Sequence, residues 1–438
     1  MSGRSIAVVG SGVAGLTAAH LLSNHDRVTL YEADHRLGGH AHTHFLDDGT
    51  GNTVGVDSAF LVHNDRTYPT LCRLFAELGV ATRDTDMSMS VSARGHKYGD
   101  LEYAGARGIG GLFPSPANLA RPRYLRMLGE VTRFHRAATR LLHSTDEADD
   151  DLETIGAFVA RQGFSPYFVE NFLTPLVAAV WSCAADAALN YPARYLFVFL
   201  EHHGMLSVFG SPTWRTVVGG SATYVNAIAE QLHEVRAGSG VGAVQRVSDG
   251  VQITTLDGGT QEFDAAVIAT HPDQALTMLT HPTDAERSVL SALPYSTNRA
   301  QLHTDESVLP RHQRARASWN YLIPPGHDHS NDVLVTYDVT RLMRLTGPFR
   351  FLVTLGGHDR VDPGAVLAEM TYHHPLYTPE SVAAQRLLPT LNDDRIVYAG
   401  AYHGWGFHED GAASGLRAAQ HLGADWPVTQ HGRETVTA

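Results

Sequence analysis

The opening run "SIAVVGSGVAGLTAAHLLSNHDRVTLYEAD" constrains this chain more than any other stretch. Ile6 to Val9 are continuously apolar, as a strand buried on both faces of a parallel sheet must be. A glycine turn follows, then Val13, Leu16, Leu21 and Leu22 recur at helical spacing before a second strand, "RVTLYE". Gly10, Gly12 and Gly15 have the spacing G-x-G-x-x-G. Gly10 permits the tight turn, Gly12 lets main chain approach a pyrophosphate, and Gly15 lets helix and strand pack closely. Val13 and Ala14 open the helix, whose free N–H groups and dipole favour an anion. Glu32, followed by Ala33, closes the second strand where a carboxylate would bind a ribose 2′-hydroxyl and disfavour a 2′-phosphate. The expectation is a βαβ unit that binds a dinucleotide.

The next stretch, "YEADHRLGGHAHTHF", carries His40, His42 and His44 on alternate residues. Alternation along one strand does not bring together three or four ligands, each held by a further hydrogen bond, so no metal site is expected. The glycines in front of the histidines point elsewhere. Glu32 followed by Arg36, Gly38 and Gly39 resembles the signature of the flavin-containing amine oxidase and phytoene desaturase superfamily, with His40 where many members have arginine. The resemblance implies non-covalent FAD, with this loop lying along it.

Further matches follow in order. "WRTVVGGSATYVNAI" is similar to the superfamily's Gly-Gly segment, and Val241 falls where members present backbone to the adenine. Ala269 and Thr270 end a return strand near the cofactor. "IVYAGAYHGWGFHEDGAASGLRAAQHL" resembles the C-terminal flavin motif, with Gly400 and Ala401 ending a strand and Gly411 and Ala412 opening the last helix. That helix N-terminus would face the flavin N1–C2=O edge and stabilise its reduced form. "GVDSAFLVHNDRTYPTL", "AAVWS", "EHHGML", "ASWNY" and "GWGFHEDG" look like predicted FAD-binding dehydrogenases of methyl-branched and furan fatty-acid synthesis. Members of that group commonly accompany cyclopropane-fatty-acid-synthase-like methyltransferases, which makes such an enzyme an implied partner. Ala59, next to Phe60, stands where that group usually has glycine near the isoalloxazine.

Strands and helices alternate at both ends of the chain, while a helical block (about 114–210) and β-rich segments lie between. The fold class is therefore α/β: a Rossmann-like FAD domain, amine-oxidase-like, with an inserted mixed α+β substrate domain. The FAD domain is expected at 1–75, 211–285 and 385–430, and the substrate domain at 76–210 and 286–384. The helix in "TYPTLCRLFAELG" should stop at Gly79, and Cys72 and Cys183 read as reduced thiols in packed helices. The formal charge of -13 argues against nucleic acid. No basic-plus-apolar leader precedes the first strand, so a cytoplasmic protein is expected. The acidic run "DEADDDLE" reads as a solvated loop. "PARYLFVFLEHHGMLSVFG" reads first as a buried helix, and otherwise as a patch for peripheral contact with the inner membrane face.

Amine oxidases usually place a lysine opposite flavin N5, yet "YSTNRAQLHTD" has none and the chain's single lysine, Lys97, is far away in sequence. The reading is therefore hydride transfer from a hydrophobic substrate to flavin N5, and the resemblance implies a methyl-branched or unsaturated fatty acyl chain as that substrate. Amine oxidation is the alternative, and a non-redox flavoprotein, a double-bond isomerase or partner of a lipid methyltransferase, is the third. Trp181, His203, Trp319, Tyr321 and Trp405 are candidate substrate contacts. Phe407 stands where amine oxidases put an aromatic beside the flavin, and His408, Glu409 and His203 are candidate bases.

Overall fold

In the computed structural model, which describes residues 3–144, 153–206, 210–324 and 333–427, the opening βαβ unit is β1 (Ser5–Val9), α1 (Val13–Leu22) and β2 (Arg27–Tyr31). β1 is the centre of a five-stranded parallel sheet. β2 pairs with it on one side (Ile6↔Val28) and Ala265–Ile268 on the other (Ile6↔Ala265). Glu234–Arg236 and Ile396–Tyr398 form the outer strands, so this one sheet collects strands from the start, middle and end of the chain. Ile6, Ala7 and Val8 are fully buried, which is why they had to be apolar without alternation. The α/β architecture is the one the sequence implies.

A seven-stranded mixed sheet forms the second layer system, in the order Val366–Pro375, Tyr295–His303, Leu352–Leu355, Val335–Asp338, Trp319–Ile323, Met89–Ala93, Leu101–Ala104. Helices Pro122–Leu142, Thr174–Trp181 and Ala193–His202 belong to the same core, in which Phe134, Phe158, Phe168 and Phe197 interlock. Leu196, Phe197, Phe199 and Leu200 of the last of these helices are buried, so "PARYLFVFL" is a core helix and not a surface patch. Residues 207–209 of that run, and all of the acidic run except Glu153, lie outside the described residues. Cys72 sits in helix Pro69–Glu77, but Cys183 lies two residues beyond the end of its helix, after Ser182 turns at φ 50. Both cysteines are free thiols.

The last helix, His408–His421, starts three residues before Gly411, where the sequence suggested it would open. Asp410 draws the start forward: its Oδ2 accepts the Phe407 N–H at 2.9 Å and closes the first turn. Gly411 and Gly415 then lie inside the helix and face α1. A Cβ at Gly411 would crowd Val13 Cγ1, and one at Gly415 would overlap the Ala14 carbonyl oxygen. At Gly12, by contrast, a Cβ would meet nothing within 4 Å. Gly415→Ala should therefore destabilise the apoprotein by about 1–3 kcal/mol through overpacking. Gly12→Ala, at φ -61 and ψ 170, should leave it unchanged. Thermal unfolding of the two apoproteins, followed by circular dichroism, checks the contrast.

Candidate active site

A cavity of about 950 Å³ runs from the ends of the parallel strands to the inner face of the seven-stranded sheet. Gly10, Gly12, Val13, Ala14, Glu32 and Ala33 line its first end. Val241 and Leu256 close that end, and Ala269 and Thr270 follow at the turn after the fourth strand. Gly15 does not reach the wall, because its Cα lies against the Gly10 carbonyl, the close helix–strand packing expected of it. The Glu32 carboxylate accepts hydrogen bonds from Ser11 N–H at 2.9 Å, Ser11 Oγ at 2.6 Å and Asp34 N–H at 2.9 Å. These fix its orientation at the edge of the glycine loop.

The loop after β2 forms the middle of the cavity. Gly39 and His40 line it, whereas Arg36 and Gly38 shape it from behind. Arg36 donates to the carbonyls of Leu37, Gly39 and Ala41, and Gly38, at φ 108, is tied by its N–H to Ser11 Oγ at 3.0 Å. Gly39 faces Gly12: a Cβ on it would stand 3.2 Å from Gly12 Cα and close the gap between the loops. His40 Nε2 is buried on the wall with no hydrogen-bond partner among the described residues. α1 has no side-chain cap and no acid in its first turn, so its N–H groups remain available to an anion. A glycine cradle, an uncapped helix end, an oriented carboxylate and an orphaned imidazole nitrogen fit FAD.

Ala59, Phe60, Gly400, Ala401, Phe407 and His408 line the stretch beyond. Ala412 is buried one turn into the last helix and, like Gly411, stays behind the wall. Phe407 stacks on Phe199 (ring centroids 4.9 Å, interplanar 18°), and the His408 ring lies flat on Phe60 at 3.7 Å. Burial holds the His408 imidazole down to about 3, so it is neutral and a weak base. Glu409 is a correction. Its two oxygens accept the Thr70 and Leu71 N–H groups, both at 3.0 Å. It therefore caps helix Pro69–Glu77 and does not line the cavity. Its pKa is raised by burial, yet its geometry is that of a structural cap.

The far arm of the cavity is apolar. Met89, Val91, Leu176, Trp181, Trp319 and Leu355 are among its walls. Tyr321, expected with them, is buried in the sheet and does not reach the cavity. Trp181 Nε1 donates to the Trp405 carbonyl at 3.0 Å, which leaves the indole ring free to serve as wall. Trp319 Nε1 and Trp405 Nε1 are buried without a partner among the described residues. His203 Nδ1 lies 2.9 Å from the Phe199 carbonyl oxygen. A carbonyl only accepts, so Nδ1 carries the proton and Nε2 is left as an acceptor on a residue that lines the cavity. Burial keeps this ring neutral, with its pKa lowered to about 4.

Among the described residues the carboxylates on the cavity wall are Glu32, on the loop after β2, and Asp273, in the first turn of helix Pro272–Met278, and no arginine or lysine lines it. Lys97 is paired with Glu170 at 2.7 Å, away from the cavity. The alternating histidines diverge: His40 turns inward to Tyr372 and His374, while His42 and His44 stack on each other at 4.1 Å. Ser58, Tyr372, His271 and His374 also line the cavity, although none of them stood out as a site residue in the sequence. The alternation in "TYHH" was the available signal for the strand that brings in Tyr372 and His374.

Comparison with known proteins agrees with this geometry. Residues 13–345 match the family described as flavin containing amine oxidoreductase. (S)-6-hydroxynicotine oxidase of Paenarthrobacter nicotinovorans is 26% identical over 267 residues, 60% of this chain and 59% of that protein. The chain thus matches less than two thirds of that relative's length. Among solved structures, cyclohexylamine oxidase from Brevibacterium oxydans superposes with a TM-score of 0.66 at 15% identity, covering 96% of this chain and 98% of that one. A fatty acid isomerase from P. acnes superposes at 0.64 with 16% identity, covering 94% and 97%. At those identities the likeness shows the fold. The chain belongs to the flavin-containing amine oxidoreductase family, whose members are FAD-dependent oxidoreductases.

Proposed function

We propose that this chain oxidises an amine that carries a hydrocarbon substituent. The observation that supports this reading is an arm walled by apolar side chains, with no carboxylate among the described residues and one fixed acceptor, His203 Nε2. Bound FAD supplies the two-electron acceptor for a hydride from the substrate carbon. The protein's part is to hold that carbon in a dry pocket and to receive the amine N–H. Trp181, Phe407 and Trp405 pack the hydrocarbon; neutral His203 accepts the N–H. A polyamine, with several positive charges, would lose its hydration in this arm without gaining a carboxylate. A molecule such as cyclohexylamine, which gives one structural neighbour its name, suits the pocket better.

One observation favours a second reading, dehydrogenation of a fatty acyl chain. Trp319 Nε1 and Trp405 Nε1 are buried donors without a partner among the described residues, and an ester or carboxyl oxygen would satisfy either. The names of the family relatives speak for the amine.

An anaerobic titration separates the two readings. Flavin absorbance at about 450 nm should bleach on adding cyclohexylamine or a longer alkylamine, and persist with spermidine or a methyl-branched acyl phospholipid. Bleaching by the phospholipid alone would install the second reading; bleaching by spermidine alone would overturn both. His203→Phe should raise KM for the amine by roughly 3- to 10-fold, the worth of one hydrogen bond, and Trp319→Phe should leave it unchanged. Glu409→Gln can accept only one of the two N–H groups it caps. It should cost about 1 kcal/mol in stability, read by thermal unfolding, while the rate of flavin reduction stays unchanged.

A further inference from the structure

The histidines at positions 42 and 44 take no part in the reading above, yet both are bonded to the cavity wall. His42 Nδ1 lies 2.9 Å from Tyr372 Oη, Tyr372 Oη 2.7 Å from Ser58 Oγ, and Ser58 Oγ 2.9 Å from His44 Nε2. Tyr372 and Ser58 line the cavity; His42 and His44 do not, and both are half-buried. Their outer nitrogens, His42 Nε2 and His44 Nδ1, have no hydrogen-bond partner among the described residues, and neither is buried. Two hydroxyls on the wall are thus joined to two imidazoles that reach solvent.

The number of hydrogens makes this chain bistable. Three links need three hydrogens, and the two hydroxyls own two. One imidazole must supply the third and the other must accept, so the chain runs either from His42 to His44 or the reverse. Ser58 Oγ also approaches the His42 carbonyl at 3.3 Å, a longer alternative acceptor while the chain is interrupted. The nearest charged groups are Arg36 and Asp34 beside His42, Arg36 beside His44, and Arg36 and Asp57 beside Tyr372. Burial and Arg36 keep both imidazoles neutral, with His42 lowered to about 3, so a proton passes through them and does not rest there.

We infer that Tyr372, Ser58, His42 and His44 form an exit path for the proton that substrate oxidation releases. The inference rests on the oxidation proposed above. When the substrate C–H leaves with its electron pair to FAD, the adjacent N–H or C–H must lose a proton. Glu409 is committed to capping, and His203 and His408 are weak bases held neutral by burial, so none of the three keeps it. The proton passes to Tyr372 Oη as that hydroxyl gives its own to His42 Nδ1, and His42 releases its Nε2 proton to water. The mirror route uses Ser58 and His44 Nε2, with release from Nδ1. Each leaves the protein with its original number of protons and one imidazole in its other tautomer. These four are positioning residues for the departing proton.

The test begins on the FAD-loaded protein without substrate. Imidazole nitrogen signals in the ¹⁵N-labelled protein are assigned with His42→Gln and His44→Gln. Tyr372→Phe, which keeps the ring, should then shift the signals of both histidines, although His44 is bonded to Ser58 and not to Tyr372. An unmoved His44 breaks the chain and overturns the inference whether or not any substrate is known. The kinetic arm uses whichever amine or acyl chain bleaches the flavin. The His42→Gln/His44→Gln double variant should slow flavin reduction by ~10- to 100-fold, at the low end of a lost acid–base group. It should also lose the solvent deuterium isotope effect and regain rate with added imidazole. A purely structural role predicts an unchanged isotope effect and no rescue, and that result also overturns the path. If nothing bleaches the flavin, the proposed oxidation fails and the nitrogen spectra alone judge the connection.

Discussion

The close approach of two helices through small residues is the contact on which the site depends. α1 and the C-terminal helix meet where Gly411 and Gly415 lie against Val13 and Ala14, and Gly15 lets α1 sit on β1. Neither helix could come as near with side chains at those positions. Because they do, the first turn of each helix reaches the wall of the same cavity, although they are nearly 400 residues apart in sequence. The two ends differ in charge. α1 begins without an acid, while the last helix carries Glu409 and Asp410 in its first turn. Burial pushes Asp410 up to about 7, so the negative charge there is held in part as a neutral acid. A dianionic pyrophosphate therefore belongs at α1.

A second fastening ties separate segments of the nucleotide-binding half to one another. Asp57 is fully enclosed and accepts from Thr43 Oγ1 at 2.5 Å, Ser221 N–H at 2.9 Å and Ser221 Oγ at 2.8 Å. One carboxylate thus joins the strand after the glycine loop, the "VDSAF" segment and the "GGSAT" turn. Its partners offset the cost of burial, and burial still raises its pKa to about 6. Ser58, Ala59 and Phe60 follow it directly, so the same bonds aim the part of the wall next to the expected isoalloxazine. The motifs that resemble a family signature are therefore parts of one hydrogen-bonded unit.

What could be read from sequence divides along a physical line. Local backbone demands were legible: the glycine spacing, the buried strand, Glu32 after it, and the stop at Gly79, which adopts φ 67. Burial was legible from apolar runs, and Trp181 and Trp319 do wall the cavity. Partners of polar side chains were not. Glu409 looked like a base because it is an acid beside a flavin motif; its commitment to Thr70 and Leu71 spans 339 and 338 residues. Tyr372 meets Ser58 across 314 residues, through a strand whose register is set by pairing with Tyr295–His303. Such partnerships are products of the assembled sheet, and periodicity records only which face is buried.

The electrical character of the cavity follows from these placements. The chain carries a net charge of -13, yet its acids are kept off the apolar arm, and the histidines there are held neutral. An uncharged, apolar arm has a definite consequence for the proposed chemistry. It would favour neutral molecules and amines in their unprotonated form, because an ammonium would arrive without a counter-charge. It also favours transfer of a hydride, which moves charge out of the apolar region toward the cofactor, over mechanisms that build an isolated ion on the substrate. A proton left behind in such a pocket is costly, and the proposed route along hydroxyls and imidazoles to water would remove it.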